Sequence, residues 1–284
     1  MVKTYYLLTK PGIIMGNGIA AIAGFALASE GRFHPLLFLG LLVGLALVIA
    51  SACVVNNYLD RDIDEKMART KNRALVKGLI SGKSALIFAS TLGILGTLIL
   101  FFFTNTLTAA VGLFGWFFYV VVYTLLKRRT VYGTLIGSIS GAIPPVAGYC
   151  AVANRIDVGA LILFVTLCLW QMPHFFAIAI YRLKDYKAAD IPVLPIKSGI
   201  QNTKIHMVLY ATAYTISAAY LTILGYTGFT YLVVVGLVNL AWVGICLQGF
   251  TAFDDISWAR KVFRFSLIVM MVLSIMIILD FALL

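Results

Sequence analysis

Nine apolar segments, each about 20 residues long, divide this sequence. A helix of about 20 residues crosses the roughly 30 Å hydrocarbon core of a bilayer, so segments of this length predict transmembrane helices. An ordinary soluble domain is excluded, because 62% of the 284 residues are hydrophobic and only 12% are charged. The sequence therefore predicts an all-α, polytopic membrane protein with nine transmembrane helices, at residues 12–29, 36–58, 84–103, 107–126, 133–152, 157–180, 206–225, 229–250 and 263–283.

These helices are expected to form a single domain over residues 1–284. Two connecting loops are long, at 59–83 and 181–205, and each follows an even-numbered helix. This arrangement suggests two four-helix halves, about 1–130 and 131–250, with the ninth helix at 263–283, although no residue-by-residue repeat marks the halves.

The distribution of basic residues predicts the orientation in the membrane. With the N-terminus inside, twenty of the 22 Lys and Arg residues fall in cytoplasmic segments, and only Arg32 and Arg155 lie outside. We therefore expect a multi-pass protein of a bacterial-type inner (plasma) membrane, with a cytoplasmic N-terminus and the C-terminus on the opposite side. Topology and anionic membrane lipids account for the net charge of +11, so a nucleic-acid partner is not expected.

Asn56, Asp60 and Asp64 recur every four residues where the second apolar segment ends. This spacing places the three side chains on one face of a helix. Carboxylates grouped at a membrane boundary repel one another and lose hydration unless a cation lies among them, so the pattern favours a metal site. The D-x-D-x-D order also resembles a calcium loop, but Glu65 stands at the sixth position, where such a loop needs glycine. For Asp62 and Glu65, which lie off this face, we expect a solvated cluster.

A second acidic patch, Asp185 and Asp190, lies in the other long loop. Two separated carboxylate groups can hold Mg²⁺ ions between them and a diphosphate, because Mg²⁺ takes few protein ligands and bridges phosphate groups. Lys127 stands four residues after Tyr123, on the same helical face. Basic residues that suit an anionic substrate follow or flank the acids: Arg69, Lys71, Arg73, Lys77 and Lys184.

Small residues mark the fifth helix, where Gly133, Gly137 and Gly141 recur every four residues before Pro144 and Pro145. Small residues on one face allow close packing of helices, and prolines leave backbone carbonyl groups that need another donor. We expect a tightly packed, kinked helix and no direct ligand contact.

The stretch from Asn56 to Asp64 resembles the N-D-x-x-D-x-x-x-D signature of the UbiA-type intramembrane prenyltransferases, with Asn57 where Asp is commoner. Further segments resemble the heme-modifying subgroup of this family, the protoheme IX farnesyltransferases or heme O synthases. They are Thr9-Lys10-Pro11-Gly12, Ala68-Arg69-Thr70-Lys71-Asn72-Arg73, Tyr132-Gly133-Thr134-Leu135-Ile136-Gly137, Trp170-Gln171-Met172-Pro173-His174, Lys184-Asp185-Tyr186 and Ile191-Pro192-Val193-Leu194-Pro195.

The resemblance implies a UbiA-type helix bundle whose active site opens near the cytoplasmic side. It also implies transfer of a farnesyl group from farnesyl diphosphate to a vinyl group of heme b, with addition of water and assistance from Mg²⁺, inside a bundle surrounded by membrane lipids. Hand-over of the product to a terminal oxidase or a downstream heme-modifying enzyme is a further expectation.

Site residues follow from the same resemblance together with the residue patterns. The expected metal ligands are Asn56, Asp60, Asp64 and Asp185, and Lys184 and Tyr181 join them as catalytic residues. In this subgroup Asp190 is a less secure ligand than Asp185, because the two acids are five residues apart and many relatives show D-x-x-x-D. The expected substrate-binding residues are Lys10, Asn17, Arg69, Arg73, Lys77, Tyr123, Lys127, Trp170 and His174.

Two other functions fit parts of the sequence. A prenyltransferase of the same type with another acceptor, a quinone precursor or another tetrapyrrole, would share the acidic motifs. A b-type heme membrane protein or transporter would use His174 and His206 as axial ligands and the acids as an ion path. A lone membrane histidine is also commonly hydrogen-bonded inside a bundle, so a purely structural role is the alternative for His174.

Overall fold

A computed structural model describes the backbone of residues 2–283 and the side chains of residues 2–280. Every regular element within this range is helical. Eight helical segments are long and apolar enough to cross a membrane, so the chain is a multi-pass membrane protein and the all-α prediction is confirmed. The eight segments are Pro11–Ser29, Pro35–Leu59, Gly82–Phe103, Thr106–Leu126, Gly133–Ala153, Val158–Tyr181, Phe229–Thr251 and Asp255–Asp280.

The helices are numbered in chain order. Two segments depart from α-helical geometry: a π-helical turn, Phe118–Tyr123, joins α6 to α7, and a 3₁₀ turn, Gln248–Thr251, follows α14. The α-helices are α1 Val2–Leu8, α2 Pro11–Ser29, α3 Pro35–Leu59, α4 Arg61–Lys66, α5 Gly82–Phe103, α6 Thr106–Phe117, α7 Thr124–Leu126, α8 Gly133–Gly141, α9 Ile143–Ala153, α10 Val158–Tyr181, α11 Leu183–Ala188, α12 Leu194–Lys197, α13 Gly199–Ile223, α14 Phe229–Leu247 and α15 Asp255–Leu283.

The remaining predicted span, 206–225, corresponds to α13, which begins at Gly199 and packs between α10 and α14. Its first turns carry polar residues, including the buried Lys204, and this makes α13 less apolar than the other eight segments. Likewise, α15 begins at Asp255 and not at residue 263, because its first turns are polar yet packed against α14. There, the Trp258 indole donates to the Ile245 carbonyl over 2.8 Å.

Very close helix packing joins α2 to α9. A Cβ atom added to Gly24 would lie 1.9 Å from the Pro145 carbonyl oxygen, and one added to Gly148 would lie 2.0 Å from the Ala21 oxygen. No larger side chain fits at either contact without moving a backbone. Helices in lipid gain little from apolar burial against each other, so such van der Waals contact is a main source of their association.

The glycine-rich fifth segment packs closely, as its sequence predicts. It divides into α8 and α9 at Ala142, where Pro144 and Pro145 enter the first turn of α9. The Gln171 side-chain amide donates to the Ser138 carbonyl over 3.0 Å, which supplies a donor near this break. Gly141 is what allows this contact, because an added Cβ would lie 2.0 Å from Gln171 Oε1.

Contacts between distant segments bring basic residues together at one end of the bundle, where α3 ends, which we call the basic end. Lys10 reaches Asn56 there, Lys127 reaches Asp60, and the buried Lys204 pairs with Asp255 over 2.6 Å. The two long loops also meet at this end in one hydrophobic cluster, made of Ile63, Met67, Ala189 and Ile191.

Candidate active site

The three polar residues of the first motif occupy one buried row at the end of α3. The helix changes direction at Asp60, whose backbone has φ −93° and ψ 2°, before α4 begins. Two i to i+4 hydrogen bonds cross this junction, Asp60 N to the Asn56 carbonyl at 2.9 Å and Asp64 N to the Asp60 carbonyl at 2.8 Å. The exposed fractions of Asn56, Asp60 and Asp64 are 3%, 4% and 2%. The i, i+4 spacing thus persists although the helix is not continuous.

A basic side chain contacts each member of this row. Lys10 Nζ donates to Asn56 Oδ1 over 2.8 Å, Arg73 Nη1 donates to Asp64 Oδ2 over 2.5 Å, and Lys127 Nζ pairs with Asp60 Oδ2. The row also has internal support, because the Asn56 amide donates to Asp60 Oδ2 over 2.8 Å. Buried carboxylates are stable only when paired in this way.

The donor set of the row fits a hard divalent cation. Among the residues with described side chains, no group of three His, Cys, Asp or Glu is close enough to hold a metal. The Asn56 amide oxygen supplies the third oxygen beside Asp60 and Asp64, and amide and carboxylate oxygens are ligands that suit Mg²⁺. Since basic groups already contact these oxygens, a metal here would compete with Lys10, Arg73 and Lys127.

Lys10 reaches the row from the turn between α1 and α2. Its backbone is left-handed, with φ 54°, which costs energy for a residue with a Cβ and is held by surrounding contacts. One such contact is the Asn57 amide, which donates to the Leu8 carbonyl over 2.9 Å. An aspartate at position 57, the commoner residue in the signature, has no hydrogen to donate there. Burial lowers the pKa of Lys10 to about 8.

Thr124 and Tyr119, which were not among the predicted site residues, lie beside the row together with the predicted Tyr123 and Lys127. Thr124 Oγ1 accepts from the Asn56 amide over 3.2 Å and donates to the Tyr119 carbonyl over 2.9 Å. The Tyr119 and Tyr123 rings stack at 5.5 Å along the π-helical turn, and Lys127 Nζ lies 5.1 Å from the Tyr123 ring centre. The repeat of Tyr119, Tyr123 and Lys127 every four residues was the signal available in the sequence.

Arg128, which was not among the predicted site residues, binds two acids of the first motif. Its guanidinium donates to both carboxylate oxygens of Asp62, over 2.7 and 2.8 Å, and contacts Asp60 Oδ1 at 3.3 Å. The Asp62 side chain is 60% exposed, as expected for a residue off the row, but it is ion-paired and not simply solvated. The hydrogen bond from Arg128 lowers the pKa of Asp62.

The second acidic motif is held more loosely. Asp185 Oδ1 accepts from the Ala68 backbone N–H over 3.1 Å, which ties it to the loop after α4 and not to the row itself. Tyr186 follows it. Burial raises the pKa of Tyr186, and the charge of neighbouring Arg69 partly offsets this rise. Tyr181 is half-buried with its ring edge-on to Phe263 at 5.7 Å, while Lys184 and Asp190 are exposed.

Two expected substrate-binding residues lie apart from these contacts. The Asn17 amide donates to the Ile13 carbonyl of its own helix over 2.8 Å. Lys77 is exposed, and its ammonium group forms no ion pair with any side chain in the range 2–280.

Trp170 and His174 lie on α10, away from the row and against α15. The Trp170 indole donates to the Ser266 carbonyl over 2.8 Å, and His174 Nδ1 lies 2.7 Å from Ser266 Oγ. Their two rings stack at 4.7 Å. Trp170 and His174 therefore form an aromatic cluster that is separate from the row.

The profile of the UbiA prenyltransferase family matches residues 17–268 of this chain. The chain is 55% identical over 282 residues to protoheme IX farnesyltransferase of Yersinia pseudotuberculosis serotype O:1b (strain IP 31758), an alignment that covers 99% of this chain and 96% of the relative.

Solved structures share the fold. A structure of digeranylgeranylglyceryl phosphate synthase in membranes has a TM-score of 0.83 and 21% identity, covering 100% of this chain and 99% of that one. A UbiA homologue from Archaeoglobus fulgidus bound to GPP and Mg²⁺ has a TM-score of 0.69 and 14% identity, covering 97% and 99%. These likenesses show that the helix bundle has a UbiA-type fold.

Proposed function

We propose that this chain, which belongs to the UbiA prenyltransferase family, transfers the farnesyl group of farnesyl diphosphate to a vinyl group of heme b. Water is added and diphosphate is released, which gives heme O. The observation that carries the proposal is the buried Asn56, Asp60 and Asp64 row, with a basic side chain on each member, at the end of an apolar bundle. The name of the Yersinia relative supports heme as the acceptor.

The row and its bases would bind the diphosphate. Asn56, Asp60 and Asp64 would hold Mg²⁺, with Asp185 as a further ligand from the facing loop, and the metal would neutralise charge on the diphosphate oxygens. Lys10, Arg73 and Lys127 would turn from the row toward the phosphates, with Arg69, Lys77, Lys184 and Tyr123 around them. The Archaeoglobus homologue, which was solved with GPP and Mg²⁺, supports this use of the fold.

Charge stabilisation by these bases promotes cleavage of the allylic C1–O bond. The electron pair of that bond leaves with the diphosphate, where the fixed ammonium and guanidinium groups stabilise the developing negative charge. The farnesyl fragment is left as an allylic cation, and the apolar interior that holds its tail excludes water from it.

The heme vinyl group then supplies the electrons for the new bond. Its terminal carbon attacks C1 of the farnesyl cation, and the positive charge moves to the carbon attached to the porphyrin. Water adds to that carbon and releases a proton, which gives a hydroxyethylfarnesyl side chain. Trp170 and His174 are the residues we assign to the acceptor, and Tyr181 is the last residue of the same helix, α10.

The same proposal includes location. The basic end faces the cytoplasm of a bacterial-type inner membrane, so the N-terminus is cytoplasmic and the C-terminus lies on the opposite side. The product is a lipophilic heme, and we propose that it passes through the membrane to a terminal oxidase or a downstream heme-modifying enzyme.

The test is incubation of the purified chain in detergent with heme b, farnesyl diphosphate and Mg²⁺, with and without chelator, followed by mass spectrometry of the extracted hemes. The expected product is a heme heavier by one farnesyl group and one hydroxyl group, because the added water releases a proton, and it should form only without chelator. If heme stayed unchanged while a quinone precursor or another tetrapyrrole gained the farnesyl group, that compound would be the acceptor in place of heme. Unchanged heme retained stoichiometrically would instead indicate a b-type heme protein.

A further inference from the structure

A hydrogen-bonded cluster joins α10 to α15 in the interior of the bundle. Ser266 of α15 is fully buried, and His174 of α10 is 8% exposed. Ser266 Oγ lies 2.7 Å from His174 Nδ1 and 2.6 Å from the carbonyl oxygen of Phe263, one turn earlier in α15. The Ser266 backbone carbonyl accepts from the Trp170 indole. Ser266 therefore contacts both α10 residues assigned to the acceptor.

These distances determine where the imidazole carries its hydrogen. The Phe263 carbonyl can only accept, so the single hydroxyl hydrogen of Ser266 is directed to it. The short contact with His174 is then a hydrogen bond in which Nδ1–H donates to Ser266 Oγ. A neutral imidazole has one ring hydrogen, so Nε2 carries a free lone pair. The ring is neutral, because no carboxylate within the described residues pairs with it and an unpaired buried cation is costly.

Aromatic side chains fix the plane of this ring. Trp170 stacks on it at 4.7 Å, Phe263 lies 4.9 Å away, and Phe175 approaches edge-on at 5.1 Å. Gln171, three residues before His174 on α10, donates to α8, whereas His174 contacts α15. This part of α10 therefore lies between α8 and α15. A single nitrogen lone pair with aromatic walls is suited to a flat, apolar macrocycle that carries a metal.

We propose that Ser266 is a positioning residue that fixes the His174 tautomer so that Nε2 binds the iron of the acceptor heme. The inference rests on the proposed function, which makes heme the acceptor. His174 lies seven residues before Tyr181, or about 10 Å along α10, so the iron sits well inside the bundle. The anionic propionates of the porphyrin then point back toward the basic end, and its apolar body stays in the interior.

The test is titration of the purified full chain, in detergent, with ferric heme b. Binding is measured from the Soret and visible absorption bands of the heme. His174→Gly should lose the spectrum of histidine-ligated heme, and added imidazole should restore it. Ser266→Ala should weaken heme binding about tenfold, the lower range for removal of a group that orients a metal ligand. Ser266→Thr, which keeps the hydroxyl, should restore most of this affinity.

Ser274→Ala is the matched control, since Ser274 is a fully buried serine two turns further along α15 whose hydroxyl has no partner in the described part of the chain. It should bind heme as the wild type does. A wild-type spectrum and affinity for Ser266→Ala, or a His174→Gly spectrum unchanged from wild type, would overturn the inference. Farnesyl transfer is measured on the same samples. Failure of the wild-type chain to farnesylate heme would overturn the proposed function instead, which separates the two.

Discussion

The two acidic motifs face the same end of the bundle but are built differently. The first continues directly from α3, its three polar residues are buried, and each contacts a base. The second begins on α11, a six-residue helix, where Asp185 accepts one backbone N–H, and it ends two residues after that helix at the exposed Asp190. Charges that are fixed and shielded before substrate binds stabilise a developing charge far more than solvated charges do. We therefore expect the first motif to dominate catalysis and the second to complete the site.

The largest effects are expected at Asp60 and Asp64. Asp60→Asn and Asp64→Asn keep the volume of each side chain and remove its charge, and each should lower kcat by about 10³-fold, as for loss of a central electrostatic group. The measurement is single-turnover formation of farnesylated heme, with membrane insertion and monodispersity as the folding check. Near-wild-type rates for either variant would remove the row from the mechanism.

Lys127→Met sharpens the comparison because two affinities should change in opposite directions. Lys127 pairs with Asp60, so its loss should tighten Mn²⁺ binding to the free chain, while a non-ionising farnesyl diphosphate analogue should bind about tenfold more weakly. Calorimetry of each ligand measures both constants. Lys197→Met, an exposed lysine outside the ion pairs, is the matched control and should change neither. If Lys127→Met weakened both ligands equally, Lys127 would not compete with the metal.

Asp185→Asn tests the second motif. Its carboxylate is partly exposed and accepts from the Ala68 N–H, so we expect a loss of about tenfold in kcat/KM, smaller than for Asp60→Asn because solvent screens the charge. The Mg²⁺ concentration that gives half of the maximal rate should rise. A loss as large as that of Asp60→Asn would place Asp185 among the primary ligands and would end the distinction between the two motifs.

Much of the fold follows from local sequence, because a bilayer requires apolar runs of a fixed length. The predicted starts of α13 and α15 were late by seven and eight residues, since polar turns outside the hydrocarbon resemble a loop when only hydropathy is considered. The row of Asn56, Asp60 and Asp64 was predictable for a similar reason, because i, i+4 spacing is a local property.

The partners of that row were not predictable, because they depend on how distant segments pack. Lys10 and Asn56 are 46 residues apart, Lys127 and Asp60 are 67 apart, and His174 and Ser266 are 92 apart. The resemblance to a known family pointed to Lys10, Lys127 and His174, and the four-residue spacing from Tyr123 also marked Lys127. Nothing in the chain near Ser266 marked that residue. Asn57 was noted only as a departure from a signature, whereas its amide holds the turn that carries Lys10.

The smallest effect on activity is expected at Asp190. Two substitutions there distinguish a role in backbone conformation from a role as a metal ligand. Asp190 is exposed and its backbone is left-handed, with φ 54°, a conformation that asparagine also adopts readily but alanine does not. Asp190→Asn should therefore change activity by less than about twofold and leave the Tm unchanged, as is usual for a surface substitution. Asp190→Ala should keep the same activity but lose about 1 kcal/mol of stability.

Activity assays and thermal unfolding of both variants decide between the two roles. If Asp190→Asn lost as much activity as Asp185→Asn while its Tm stayed constant, the Asp190 carboxylate would be acting as a ligand, and the second motif would hold metal through both of its acids.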